Sequence, residues 1–231
     1  MKKKRSDMKK IEEMMVSTFS LRRKQIVEEE PSVAEVKIKW PALFTEQQIE
    51  AEFNRITSAD LTESFFTGLD KHLPRLLTLY QAKTERFPEL KNILRKLEDD
   101  NSNRMKRAVT LRGLPYFLSE DSSRFLRTAE ATDTEESMAK EMNVGIILIK
   151  HGEDLLNMSV VLEDQIILHD IKDFSKAVAM LMGLLYVLNI DYPTELRYTF
   201  EVIQKVLMNI GADHCSARVP GLRNRLFCKT E

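Results

Sequence analysis

Apolar residues recur with helical spacing over the first 128 positions of this chain, and with strand spacing only after position 143. In residues 1–30, Met8, Ile11, Met15, Phe19 and Ile26 fall near the helical period while charged residues fill the other faces, predicting a charged N-terminal helix or arm. Pro31 ends it, because the residue before a proline is biased away from helix. Residues 31–128 read as a helical region. Ser32-x-x-Glu35 and Thr45-x-x-Gln48 have capping-box spacing. Leu61, Phe65, Leu69, Leu73, Leu76 and Tyr80 form a broad stripe that Pro74 is expected to kink or split. A helix from Pro88 groups Leu90, Ile93, Leu94 and Leu97. A basic helix from Asn103 is expected to stop at Gly113-Leu114-Pro115, with Ser119 or Asp121 capping one more short helix through Phe125 and Leu126.

Residues 129–143 are polar and acidic and read as a linker or loop. Residues 144–211 then predict a small sheet plus two buried helices. Ile146 to Ile149 is a continuous apolar run of the kind buried on both faces of a sheet, and strands around Met158–Leu162 and Ile166–Leu168 follow. Phe174, Ala177, Val178, Leu181, Leu184, Leu185 and Leu188 mark a helix that is apolar nearly all round, hence central to a core. Leu196, Phe200, Ile203, Leu207 and Ile210 stripe a last long helix that Gly211 ends, and 212–231 is a mixed basic tail. The fold class expected is α+β: predominantly helical, with one three-stranded antiparallel meander near the C-terminal helices.

Composition adds constraints. The chain has 231 residues, 43% hydrophobic and 31% charged, ordinary for a folded protein and long enough for a sizeable core. A formal net charge of −1 gives no global field favouring nucleic acid or membrane. Two cysteines, Cys215 and Cys228, are too few for a disulfide framework. The basic N-terminus lacks the apolar segment of a secretory signal, and no apolar stretch reaches the roughly 20 residues that span a bilayer. An intracellular location, cytoplasmic or nuclear, is therefore expected.

Motifs for catalysis are sparse. Neither phosphate-binding glycine loop occurs, nor H-E-x-x-H, so nucleotide-dependent enzymes and zincins are disfavoured. His72, His151, His169 and the Cys215 region are too dispersed for a metal motif. His169-Asp170 and Asp173 read as turn and cap residues rather than acid–base groups. No catalytic residue, cofactor or metal is assigned. Two surfaces remain. Arg22, Arg23 and Lys24, with Arg104, Lys106, Arg107 and Arg112, form candidate basic clusters for phosphates; Lys2 to Arg5 have the composition of a nuclear import signal. Met8, Ile11, Met15 and Phe19, with Met14 beside them, form a Met-rich face suited to docking in a partner's groove.

The segments TFSLRRKQIVEEEP, KWPALFTEQQIEAEFNRI, AVTLRGLPYFLSEDSSRF and GLLYVLNIDYPTELRYTFEVIQKVLMNIG are similar to the region outside the sterile alpha motif in vertebrate sterile-alpha-motif-domain-containing protein 3-like proteins. The five-helix pattern of the sterile alpha motif itself is not found in this sequence, so the resemblance implies a helical region and transfers no catalytic residue. The function expected is a non-enzymatic protein-interaction or scaffold-type module; nucleic-acid or anionic-surface association through the basic helices is the alternative.

Overall fold

The computed structural model describes residues 2–123, 125–211, 216 and 219–227, with side chains from residue 7 onward. The N-terminal arm is two helices, α1 (Lys2–Ser17) and α2 (Phe19–Glu29), separated at Thr18. A left-handed Glu30 closes α2. The capping box of Ser32 and Glu35 then starts α3 (Val33–Lys39), with both reciprocal hydrogen bonds formed. A short 3-10 turn (Pro41–Phe44) leads into α4 (Glu46–Thr57), capped by Thr45 alone.

Three longer helices follow: α5 (Leu61–Gln81), α6 (Pro88–Asp99) and α7 (Asn103–Leu118). Neither proline ends a helix here. α5 runs through Pro74 as one element rather than splitting, and α7 runs past the end expected at Gly113-Leu114-Pro115 to a left-handed Ser119. Each proline removes one backbone donor, but both helices bury extended apolar faces, which outweighs the loss. Gly113 is not a helix end. A Cβ there would lie 2.6 Å from the Tyr80 ring, so the glycine lets α7 press on α5, and Tyr80 donates to the Thr110 carbonyl across the same contact.

The sheet has four strands, not three, and it is mixed. β1 (Leu126–Glu130) pairs in parallel with β2 (Val144–His151); β3 (Asp154–Leu162) and β4 (Gln165–Ile171) continue as the expected antiparallel meander, in the order β1-β2-β3-β4. The short helix expected through Phe125 and Leu126 is instead the entry to β1. The acidic stretch 129–143 carries the end of β1 and α8 (Glu135–Ala139), the crossover that a parallel pair requires. Because side chains alternate across a strand, Ile146, Leu148, Val160 and Leu162 join the main core. Ile147, Val161 and Ile166 face a smaller cluster with Met138, Ala139 and Met142 beside α8. The unbroken apolar run of β2 therefore does mark a strand buried on both faces.

α9 (Phe174–Val187) lies against β2, β3 and β4 and against α4, α5 and α7, burying residues on every side. Asp173 caps it by accepting from the Lys176 amide at 2.8 Å, the role read for it in the sequence. The last long helix is entered by a 3-10 turn (Thr194–Leu196) and runs as α10 (Arg197–Val202) directly into a π turn (Ile203–Leu207). The Glu120 carboxylate accepts from the amides of Tyr198 and Thr199, filling the start of α10. Within the C-terminal tail, α11 (Val219–Phe227) packs Val219, Leu222 and Leu226 into the core. One apolar cluster thus extends from Met15 to Leu226.

Two glycines test this packing. A Cβ on Gly68 would fall 1.7 Å from the Leu207 carbonyl oxygen, where α5 meets the π turn, whereas a Cβ on Gly221 meets open space. Gly68→Ala is expected to destabilise the chain by about 3 kcal/mol or more. Gly221→Ala should be neutral or stabilising by up to about 1 kcal/mol in the same denaturant titrations. Equal effects at the two sites would contradict the packing described.

Candidate functional site

Arg22 sits in the apolar stripe of its own helix, at the Met15, Phe19, Arg22, Ile26 spacing, and Glu52 does the same among Ile49, Phe53 and Ile56 of α4. Both stripes face the core, so both charges go with them. Arg22 is 0% exposed and Glu52 1%. They meet as a two-pronged pair: Nε donates to Oε1 at 2.7 Å and Nη2 to Oε2 at 2.6 Å. Two further arginine donors go to Thr18 Oγ1 (2.9 Å) and the Met15 carbonyl (3.0 Å), and the guanidinium lies 5.5 Å from the centre of the Trp40 ring. Arg55 adds a second cation on Glu52 Oε2 at 2.8 Å. Thr18, the break between α1 and α2, is thus held from inside: its hydroxyl donates to the Met14 carbonyl while accepting from Arg22.

Arg23 is equally occupied. Its guanidinium donates to the carbonyls of Tyr186 and Val187 and to Asn189 Oδ1, at the C-terminal end of α9 where the helix dipole favours a cation. Burial lowers its pKa from the ordinary arginine value, and Glu52 opposes that shift. The N-terminal basic cluster is therefore not a surface. Arg22 and Arg23 join α2 to α4 and α9, leaving Lys24 exposed beside Glu28.

The second cluster is also largely matched. Arg107 forms a bidentate pair with Asp70 at 2.7 and 2.5 Å and covers the Phe66 ring; Arg104 reaches the Lys172 carbonyl and Asp173. Lys106 and Arg112 are half-buried. The two clusters fall on different elements and do not merge into one basic face.

The Met-rich face divides at the end of α1. Met15 is buried and Phe19 half-buried, whereas Ile11 and Met8, one and two turns earlier on the same side, are exposed. Every residue from Asp7 to Met14 is exposed, so this part of α1, about half of a helix of roughly 24 Å at 1.5 Å per residue, overhangs the body. Of ten large apolar residues exposed among the described residues, seven lie in the first 38 positions: Met8, Ile11 and Met14 on this overhang, then Val16, Leu21, Val27 and Ile38.

Other candidate chemistry stays dispersed. His72 is buried edge-on against Phe227, with its pKa lowered by burial and then by Lys71. His151 is exposed, and His169 lies 3.7 Å from Glu135. No group of three metal-ligating side chains converges among the described residues. Cys215, Cys228 and the side chains of Lys2 to Arg5 lie outside the described residues. No described helix is long and apolar enough to cross a membrane.

Residues 1–45 match the family of the helical domain of sterile alpha motif domain-containing protein 3. The chain is similar to that family over α1, α2, α3 and the following 3-10 turn, which include TFSLRRKQIVEEEP. No curated protein and no solved structure matches the chain. The matched segment supplies Arg22, Thr18, Met15 and Trp40 of the buried network. Glu52, the counter-ion, lies just beyond it.

The ion pair should behave asymmetrically. Glu52→Ala leaves a buried guanidinium without its carboxylate and is expected to cost about 3–5 kcal/mol. Replacing both partners with apolar residues, Arg22→Met with Glu52→Leu, should recover most of that loss in chemical denaturation. A single-variant cost below about 1 kcal/mol would show that the pair is not desolvated as described.

Proposed function

We propose that this chain is a non-enzymatic protein-interaction module that presents its N-terminal helical arm to a protein partner. The observation that carries the reading is the concentration of exposed large apolar residues on the first 38 positions, while the rest of the described chain buries nearly all of its own. Apolar side chains spaced along an overhanging helix, with lysines and glutamates between them, suit an apolar groove with a polar rim. Methionine at positions 8 and 14 gives that face adaptable side chains.

A buried arm root supports the same reading. Arg22 and Arg23 fix α2 to the body, so the exposed part of α1 is displayed from a defined base rather than from a free tail. The family likeness falls on this segment. The buried ionisable groups Arg22, Glu52 and Glu201 are each engaged in structural pairs or hydrogen bonds, and the lining of a 450 Å³ cavity beside β2 and the α9–α10 turn carries Asp121, Glu141, Asp191 and Glu195 without a lysine, arginine, histidine or cysteine. Association with nucleic acid is the weaker reading, because Lys24, Arg104 and Arg107 have carboxylate partners and Arg22 is buried.

Ile11→Glu combined with Met14→Glu tests the proposal. Both positions are exposed, so thermal stability is expected to change by about 0.5 kcal/mol or less for each. Quantitative affinity capture from source cells should recover a protein with the wild type that the variant loses at least tenfold, and sedimentation velocity distinguishes a foreign partner from a second copy. Identical recoveries from wild type and variant would overturn the reading. So would binding of a labelled oligonucleotide at low salt that the variant leaves unchanged while no protein partner is captured.

A further inference from the structure

Lys96 of α6, Arg112 of α7 and Lys150 near the end of β2 come together where these elements meet, and none forms an ion pair with a described residue. Lys96 has its pKa lowered from the ordinary lysine value, first by burial and then by the like charges of Arg112 and Lys150. Burial likewise lowers the pKa of Arg112, opposed by Tyr116. None of the nearby carboxylates forms an ion pair with these cations. Glu130, opposite Lys150 in the β1–β2 register, accepts from the Gly152 amide. Asp100 accepts from the Ser102 amide and lies near Arg104. Glu89 shares a neighbouring cavity with Arg112 without pairing with it.

Beside these cations is a cavity of about 370 Å³, lined by Lys96, Arg104 and Arg112 with the single carboxylate Asp100, and walled by Val109, Leu148, Met158 and Phe174, with the exposed Leu155 at its lip. Its size falls within the range of roughly 300–1,000 Å³ typical of small-molecule sites, and an apolar wall with few polar groups is the usual composition. Partly desolvated like charges repel, so the unliganded chain holds them at a cost that a bound anion would remove. Inorganic phosphate satisfies the cations and leaves the apolar wall wet; a neutral hydrocarbon does the reverse. A ligand carrying both features satisfies both.

We propose that the cavity between α6, α7 and the sheet binds a small amphipathic carboxylate, with Arg112 and Lys96 holding the anionic head and Val109, Leu148, Met158 and Phe174 covering its apolar chain. This site rests on the α6–α7–sheet geometry and is independent of the N-terminal arm, so failure of either proposal leaves the other standing.

Calorimetric titration of the full chain with octanoate, octan-1-ol and inorganic phosphate tests it. Octanoate is expected to bind at least tenfold more tightly than either of the others. Lys96→Met combined with Arg112→Met should lose octanoate binding at least tenfold while the unliganded melting temperature stays level or rises, because the repulsion is gone. Leu155→Glu, at an exposed lip position, should weaken octanoate by a similar factor and serves if the double variant folds poorly. Absence of octanoate binding overturns the proposal. So does octan-1-ol binding as tightly, which would leave the cations unused, or phosphate binding as tightly, which would leave the apolar wall unused. Unchanged octanoate binding in the well-folded variants would place the ligand elsewhere and also overturn it.

Discussion

The pairing of Arg22 with Glu52 is the constraint on which the placement of the N-terminal half depends. Two charges with almost no solvent contact are tolerable only when geometry is good and the remaining donors are satisfied, and here the arginine also reaches Thr18 and the Met15 carbonyl. Such a pair adds little net stability over an apolar one, but it is intolerant of slippage. Displacing α2 along α4 by one turn would move the guanidinium roughly 5.4 Å from its carboxylate and strand both charges. The pair thereby fixes a register that the apolar contacts of Met15 and Ile26 alone would define only loosely.

From that register the rest of the arm follows. With α2 fixed on α4, Arg23 falls at the C-terminal carbonyls of α9, and the arm is joined to the most buried helix of the fold. α9 in turn backs the sheet, and Gly183 gives it close approach to Ile49 of α4 and Leu61 of α5. The chain of contacts from Thr18 to the sheet is therefore continuous: polar at its outer end, apolar within. The direction of α1 is set at Thr18, inside this network, which is why a helix with eight consecutive exposed residues, Asp7 to Met14, leaves the body at a defined place.

Periodicity made the interior legible. α9, the β2–β4 meander and the capping positions Ser32, Thr45 and Asp173 follow from spacing and side-chain chemistry, because those signals are local. β1 escaped detection since Leu126–Glu130 is short, mostly polar and at a sheet edge, and its pairing partner lies twenty residues away. Pro115 and Gly113 suggested a helix end, yet tertiary burial of Leu111, Leu114 and Phe117 carried α7 past them. The π turn that ends the final helix meets α5 at Gly68, a distant position that no local pattern reports. At the candidate site, the exposed Met8 and Ile11 are legible as an apolar face, whereas Arg22 has the residue type of a surface charge and the position of a core residue. Its place in the stripe of Met15, Phe19 and Ile26 was the available signal.

The arginines of this chain divide by what they face, and that division separates structure from recognition. Arg22, Arg23, Arg104 and Arg107 each meet carboxylates or helix-end carbonyls, so their charge is spent inside the fold. Arg112 departs from this pattern: it is partly buried, near Lys96 and Lys150, and turned to a cavity wall that is mainly apolar. Leaving this one opposed by like charges gains the chain nothing in stability. Apolar side chains show the same contrast, since the interior buries nearly all of them while the first 38 positions leave seven large ones exposed. Unmatched charge at one place and uncovered apolar surface at another are both costly in the isolated chain, and each is relieved by a ligand of the complementary kind.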